Sequence, residues 1–319
     1  HRSGKWPIFH SNSRSAAMRS PAKFAWQRTL NLSVRRFAHP MRFGLIAGNG
    51  QFPLLALQAA RQAGDEAVAF GIREEASERI EEFAASTHWI SLGQLGKLID
   101  LCRQEGITQL MMAGQVKHGQ IFSRIRPDWK LVKVLASLAS QNTDSLIGGV
   151  IRALEAEGIQ LVDSTRLLKT MLAGEGVQTR RKPTREERAD LDYGRRIAAA
   201  LSQVDVGQSV AICERACVAL EAMEGTDAML RRAAGLVEGR AICLVKGSRR
   251  RRHLLFDVPV LGMASIPVLK ETRTTAIAVD CGRTLLLEKR EFLLALDEIG
   301  VTLVGEPPSD AVNAGEVAG

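Results

Sequence analysis

The chain has 319 residues, 45% of them apolar and 24% charged, which is enough to build a buried core in about two domains. No stretch reaches the ~18 consecutive apolar residues of a membrane span, so any contact with a bilayer is expected to be peripheral. The formal charge of +8 points at first to nucleic acid, but residues 1–40 hold eight Lys or Arg and no Asp or Glu; removing those eight from 43 leaves 35 basic against 35 acidic residues. The body from Met41 onward is neutral, which argues against a nucleic-acid-binding body.

Residues 1–40 are Arg- and Ser-rich and lack the continuous apolar region of a secretory signal, although their composition is that of an organellar transit peptide. "MRFGLIAG" at 41–48 reads as the first buried strand. Residues 1–40 are therefore expected to be a non-native or disordered leader translated ahead of the natural start, a functional transit segment being the alternative.

From Met41 the pattern alternates. "RFGLIAG" (42–48), "EAVAFG" (66–71), "THWISLG" (87–93) and "TQLMMAG" (108–114) read as strands. Between them "LLALQAARQAG" (54–64), "ASERIEEFAAS" (76–86) and "LGKLIDLCRQEG" (95–106) carry apolar residues at helical spacing. Strand and helix in alternation predict a parallel sheet covered by helices, a Rossmann-like domain over residues 41–170. Within it, Pro127 to Gly158 reads as helical, with Asn142 as a cap and a stripe at Leu146, Val150 and Leu154, and "IQLVDS" (159–164) as a strand. The connection "MLAGEGVQTRRKPTREER" (171–188) ends in Pro183 and a capping box from Thr184 to Glu187. "SVAICE", "CVALEA", "RAICLVK", "TAIAVD", "TLLLE" and "VTLVG" read as strands, with helices near 188–203, 227–235 and 290–299. The fold class is thus α/β in two domains, the second an α/β domain over 171–305, followed by a disordered tail at 306–319.

Several stretches carry potential chemistry. Gly48, Asn49 and Gly50 follow the first strand, where backbone N–H groups can approach a phosphate. As a dinucleotide fingerprint this loop is defective, because Pro53 replaces the third glycine and no acid ends the second strand at Gly71. Gly114, Gln115, Lys117 and His118 stand at another strand end, where open parallel sheets bind ligands. In "EGTDAML" (224–230), Thr226 or Asp227 can cap a helix while Gly225 lets the chain turn; the same N–H groups and carboxylates can hold a phosphate and its metal. "SRRRRH" (248–253) is a solvated patch or a grip for phosphates, and Asp257 interrupts the apolar run after it. Five cysteines without a C-x-x-C pair read as reduced, buried thiols.

Taken in order, "GLIAGNGQFP", "GQLGK" (93–97), "AGQV" (113–116), "DVGQ" (205–208), "EGTDAMLRR" (224–232) and "DVPVLG" (257–262) resemble the LpxI-type UDP-2,3-diacylglucosamine pyrophosphatases, from about Met41 to Gly305. The resemblance implies two α/β domains with the substrate between them. The implied reaction is magnesium-dependent hydrolysis of UDP-2,3-diacylglucosamine to UMP and 2,3-diacylglucosamine 1-phosphate in lipid A synthesis. Asp257 matches the family's essential aspartate, and Asp227 and Asp144 are the other acids carried over, so that Asp257 and Asp227 are implied as catalytic and all three as metal-holding. Gly48, Asn49, Gly50, Gly114, Gln115, Gly225 and Thr226 are implied as substrate-binding. The chain departs from the family at Arg249, Arg250, Arg252, His253 and Leu255. A cytoplasmic enzyme peripheral to the inner membrane follows, with a homodimer as one form it can take and no nucleic-acid partner. An NAD(P)-binding oxidoreductase and a non-catalytic nucleotide or lipid carrier are the alternatives.

Overall fold

The computed structural model describes residues 40–116, 126–138, 143–203, 206–248 and 258–308. Residues 1–39 of the leader, the tail from Ser309, Lys117, His118, Asn142, Asp205, the arginines at 249–252, His253 and Asp257 lie outside the described residues.

The first half runs β1 (Arg42–Ala47), α1 (Phe52–Ala63), β2 (Glu66–Ile72), β3 (Ser86–Ile90), α2 (Leu95–Gln104), β4 (Gln109–Ala113), α3 (Trp129–Ala136), α4 (Thr143–Ala156) and β5 (Gln160–Leu161). Its sheet has the order β3-β2-β1-β4-β5 with every pairing parallel. β1, β2 and β4 are apolar after their first residue because both faces are covered. Phe43, Leu45 and Ala47 pack with Leu54 and Leu57 of α1, while Ile46, Val68 and Phe70 pack with Leu98 and Ile99 of α2 and Leu154 of α4. α1 stops at Gly64, whose φ of 83° suits a residue without a Cβ.

One expectation is corrected here. Residues 76–86 form only a 3₁₀ turn, Glu78–Glu82, in place of a helix. The Ala85 N–H already donates to Ala67 O at 2.8 Å and Ser86 pairs with Val68, so the chain must be extended by then. The helical reading of Pro127 to Gly158 holds among the described residues, as the two helices α3 and α4. The Asp128 carboxylate caps α3 by accepting from Leu131 N at 3.0 Å and also holds Gly96 N at 2.6 Å. The Ser137 hydroxyl ends α3 by donating back to Val134 O at 2.7 Å.

The second half runs β6 (Gly176–Val177), α5 (Arg185–Gln203), β7 (Ser209–Cys213), β8 (Ala216–Leu220), α6 (Thr226–Leu236), β9 (Ile242–Lys246), β10 (Val260–Leu261), α7 (Ile266–Glu271), β11 (Thr274–Asp280), β12 (Leu285–Leu286), α8 (Lys289–Glu298) and β13 (Thr302–Glu306). The main sheet is ordered β6-β13-β11-β9-β7-β8; β9, β11 and β13 are mutually parallel, and β6, β7 and β8 pair antiparallel. Alternation again sorts the faces: Ala211, Leu244 and Ile277 pack with Leu230, Leu269 and Phe292 of α6, α7 and α8, and Ile212, Val245 and Ala278 pack with Leu191 and Ala198 of α5. β10 and β12 form a separate parallel pair. Leu285 and Leu287 belong to the core of Phe43 and Leu57, with Val258 and Val260 packed against it, so the second half sends two segments into the core of the first. All five cysteines are free thiols, and burial pushes Cys102 up to about 12.

The capping box at α5 forms as expected. Glu187 Oε2 accepts from Thr184 N at 2.8 Å and Thr184 Oγ1 accepts from Glu187 N at 3.2 Å. Arg181 Nη1 also meets Glu187 at 2.7 Å. Burial pushes the Glu187 carboxyl up, but the hydrogen bonds from Arg181 and Thr184 outweigh it and hold the group below its ordinary range. A carboxyl depressed on folding stabilises the fold above its unfolded pKa and loses that contribution as pH falls through the folded value. Glu187→Gln keeps the box and removes the charge, so it is expected to cost about 1 kcal/mol at pH 7. The melting-temperature gap to wild type is expected to close on acidification below the ordinary Glu range; a gap constant from pH 7 to 3 contradicts this account.

Candidate active site

The Gly48 and Gly114 loops meet at the carboxyl edge of the first sheet. Gly48 N donates to Ala113 O at 2.9 Å, Asn49 N to Gln115 O at 2.7 Å and Gln115 N to Asn49 O at 3.0 Å. A Cβ on Gly114, whose φ is 89°, would lie 2.5 Å from Asn49 O, so only glycine lets the loops clasp. Asn49 Nδ2 donates to Glu75 Oε2 at 3.2 Å. The N–H groups of Gly48 and Asn49 are therefore engaged with Ala113 and Gln115, which speaks against the dinucleotide reading. Gly50 is exposed with φ 97°, and the start of α1 has no side-chain cap at Gln51.

A second group gathers where the second sheet meets α6. Gly225, at φ 84°, is the N-cap of α6 and supplies no side-chain hydrogen bond. The expectation that Thr226 or Asp227 caps this helix is corrected. The Thr226 hydroxyl instead donates to Glu221 Oε1 at 3.0 Å and accepts from Lys246 Nζ at 2.8 Å. Lys246 ends β9 and Ser209 opens β7 in register opposite it, with Lys246 Nζ 3.4 Å from Ser209 Oγ. Ser209, Glu221 and Lys246 are buried, and Glu221 Oε2 has no hydrogen-bond partner among the described residues. Gly207 packs so tightly on the Glu221 backbone that a Cβ would fall 2.0 Å from its carbonyl oxygen.

Glu224 is occupied otherwise. It accepts from Ala222 N at 3.0 Å and pairs with Arg232 at 2.5 Å; its own backbone N–H and then Arg232 hold its carboxyl low. Asp227 stands exposed in the first turn of α6 and makes no ion pair among the described residues. Further along the same carboxyl edge, Asp280 accepts from both the N–H and the hydroxyl of Ser248 at 2.6 Å. Asp144 is the second residue of α4, and that backbone position is all that is described of it. A cleft of about 670 Å³ opens at the opposite end of the second sheet, lined by Arg185, Asp190, Arg215, Arg240, Cys243 and Thr275 and containing none of the site residues.

The structure thus joins Gly48, Asn49, Gly114 and Gln115 in one group, and Gly225, Thr226 and Asp227 in another; no hydrogen bond or ion pair among the described residues connects the two. Ser209, Glu221 and Lys246 escaped the sequence reading. Their signal is a polar residue at the end of an apolar run: "SVAIC" opens on Ser209, "ACVALE" closes on Glu221 and "ICLVK" closes on Lys246.

Two α/β sheets whose polar groups collect at strand ends and helix starts place the chain among two-domain α/β proteins of the ligand-binding kind. The LpxI N-terminal domain model matches residues 42–171 and the LpxI C-terminal domain model residues 174–304. The UDP-2,3-diacylglucosamine pyrophosphatase LpxI of Caulobacter vibrioides is 30% identical over 279 residues, 84% of this chain and 99% of that protein. The chain belongs to the LpxI family. Among solved structures, the ADP complex of N5-carboxyaminoimidazole ribonucleotide synthetase overlaps 64% of this chain and 37% of its own at 13% identity and a TM-score of 0.26. A pyruvate carboxylase from Rhizobium etli overlaps 54% and 14% at 12% identity and the same TM-score. Both overlaps are too loose to bear on this chain.

Proposed function

We propose that this protein hydrolyses the pyrophosphate bond of UDP-2,3-diacylglucosamine, giving UMP and 2,3-diacylglucosamine 1-phosphate in lipid A synthesis. The observation that carries the reading is similarity along 99% of a protein with that named activity. The uncapped start of α6 supports it, because first-turn N–H groups without a side-chain acceptor suit phosphate oxygens. In the reaction, water adds to one phosphorus and the phosphoanhydride P–O bond breaks, the bridging oxygen leaving with the other phosphate. Asp257 is the proposed holder of that water or of a metal. Gly225 and Thr226 place the backbone against the diphosphate, and the clasped Gly48 and Gly114 loops present Gly50 and the start of α1 to the other part of the substrate.

Magnesium is the proposed cofactor. No group of three or more His, Cys, Asp or Glu side chains gathers to hold a metal among the described residues. Magnesium commonly takes only one or two carboxylates and completes its shell with substrate phosphates and water, and the unpaired, exposed Asp227 beside the start of α6 fits that donor set. Asp227 and Asp257 would hold the ion, with Asp144 as a further acid by family resemblance. When bound, it neutralises charge on the non-bridging oxygens. The two acyl chains of the substrate favour action at the cytoplasmic surface of the inner membrane; no described helix is long and apolar enough to cross a membrane. Incubating the protein with UDP-2,3-diacylglucosamine and Mg²⁺ is expected to release UMP. Binding of the substrate without UMP release would favour a carrier and overturn the enzymatic reading.

A further inference from the structure

Thr226 sits where a threonine ordinarily caps a helix, yet its hydroxyl is turned away from the backbone and spent between two buried charged residues. Lys246 is 6% exposed and Glu221 8%. Buried charges usually meet directly. Here no ion pair joins them; the Thr226 hydroxyl stands between, accepting from Lys246 at 2.8 Å and donating to Glu221 at 3.0 Å. Ser209 steadies the ammonium from the neighbouring strand. The arrangement fixes the Thr226 rotamer from both sides, and so the first turn of α6, while leaving that turn without a side-chain cap. Glu221 Oε2 is an independent sign of a ligand. It is buried without a partner among the described residues, and a wholly structural cluster would satisfy it.

We propose that Lys246 is a positioning residue for the hydrolysis, an inference that rests on the activity proposed above. Acting through Thr226, it keeps the first-turn N–H groups of α6 open to the substrate's diphosphate. Lys246 acts as a fixed charge and transfers no proton.

The test compares wild type, Lys246→Met, Thr226→Val, Thr226→Ser and the Lys246→Met/Thr226→Val double variant, measuring melting temperature, UDP affinity by calorimetry, and kcat and KM for UMP release. Lys246→Met and Thr226→Val are each expected to lower kcat at least about tenfold, and the double variant to be no worse than the poorer single, because the two residues act as one unit. Thr226→Ser keeps the hydroxyl and is expected to recover most of the kcat that Thr226→Val loses. Removing the Lys246 ammonium alone leaves the buried Glu221 carboxylate without its cation, so Lys246→Met is expected to lower the melting temperature, and kcat is compared at a temperature where every variant is folded. Retained kcat in Thr226→Val, equal losses in Thr226→Ser and Thr226→Val, or losses that multiply in the double variant would overturn the inference. If Lys246→Met fails to fold, the Thr226 pair decides. If wild type itself releases no UMP, the proposed activity fails first; UDP affinity then still reads the cluster, and an affinity unchanged in Lys246→Met and Thr226→Val overturns the inference separately.

Discussion

Asp257→Ala is expected to lower UMP release on the order of 10³-fold while substrate affinity and melting temperature stay near wild type. The argument begins with the path of the chain. It leaves the second sheet at Ser248, pinned to Asp280 by two hydrogen bonds, and re-enters as Val258, packed against the core of the first sheet. Asp257 immediately precedes that apolar anchor and follows a run of arginines suited to phosphate. A carboxylate next in sequence to a packed apolar residue needs a reason to be there, and the proposed function offers one: to hold the attacking water or the metal. Such a contact matters chiefly in the transition state, so its loss falls on kcat more than on affinity. The competing account is that Asp257 merely caps a turn, for which alanine costs about 1 kcal/mol of stability and little rate. Melting temperature, substrate binding and UMP release measured on one preparation separate the two, and an active variant with a lowered melting point would sink the catalytic role.

What the sequence made legible was largely what local chemistry decides. The strand and helix alternation of the first half follows from short continuous apolar runs alternating with apolar residues at a period of 3.6, and the α5 capping box from Thr184 and Glu187 spaced for reciprocal bonding. Residues 76–86 misled because Ile80 and Phe83 have helical spacing while the pairing of Ser86 with Val68, a non-local demand, forces the chain straight.

The site was legible in pieces. Gly48 and Gly114 were each readable as loop residues at strand ends, but their clasp joins distant parts of the chain and depends on β1 and β4 being neighbours. Thr226 was singled out and given the wrong partner: helix-start statistics favour capping, whereas Glu221 and Lys246 reach it only once β8 and β9 are placed in one sheet. Lys246 itself was hidden in plain view, since a lysine ending an apolar run usually marks where a strand meets water.

Chelating divalent metal is expected to abolish UMP release, and restoring Mg²⁺ to recover it. A substrate diphosphate brings anionic oxygens that must be neutralised before water can approach, and the cations described near the candidate site are few. Lys246 is held by Thr226 and Ser209, and Arg232 by Glu224 and the Leu220 carbonyl. Along the same edge Arg188 and Arg195 are paired with Glu306. The arginine run at 249–252, outside the described residues, is a further source of charge in the sequence, and a guanidinium grips phosphate without polarising water. Asp227, exposed and outside any described ion pair, has the opposite character: it serves a diphosphate only if a cation lies between them. Asp227→Asn is accordingly expected to raise the Mg²⁺ concentration needed for half-maximal rate, with UDP binding in the absence of metal unchanged or tighter. Full activity in excess EDTA would assign the neutralisation to the arginines and remove the reason for proposing a metal at Asp227.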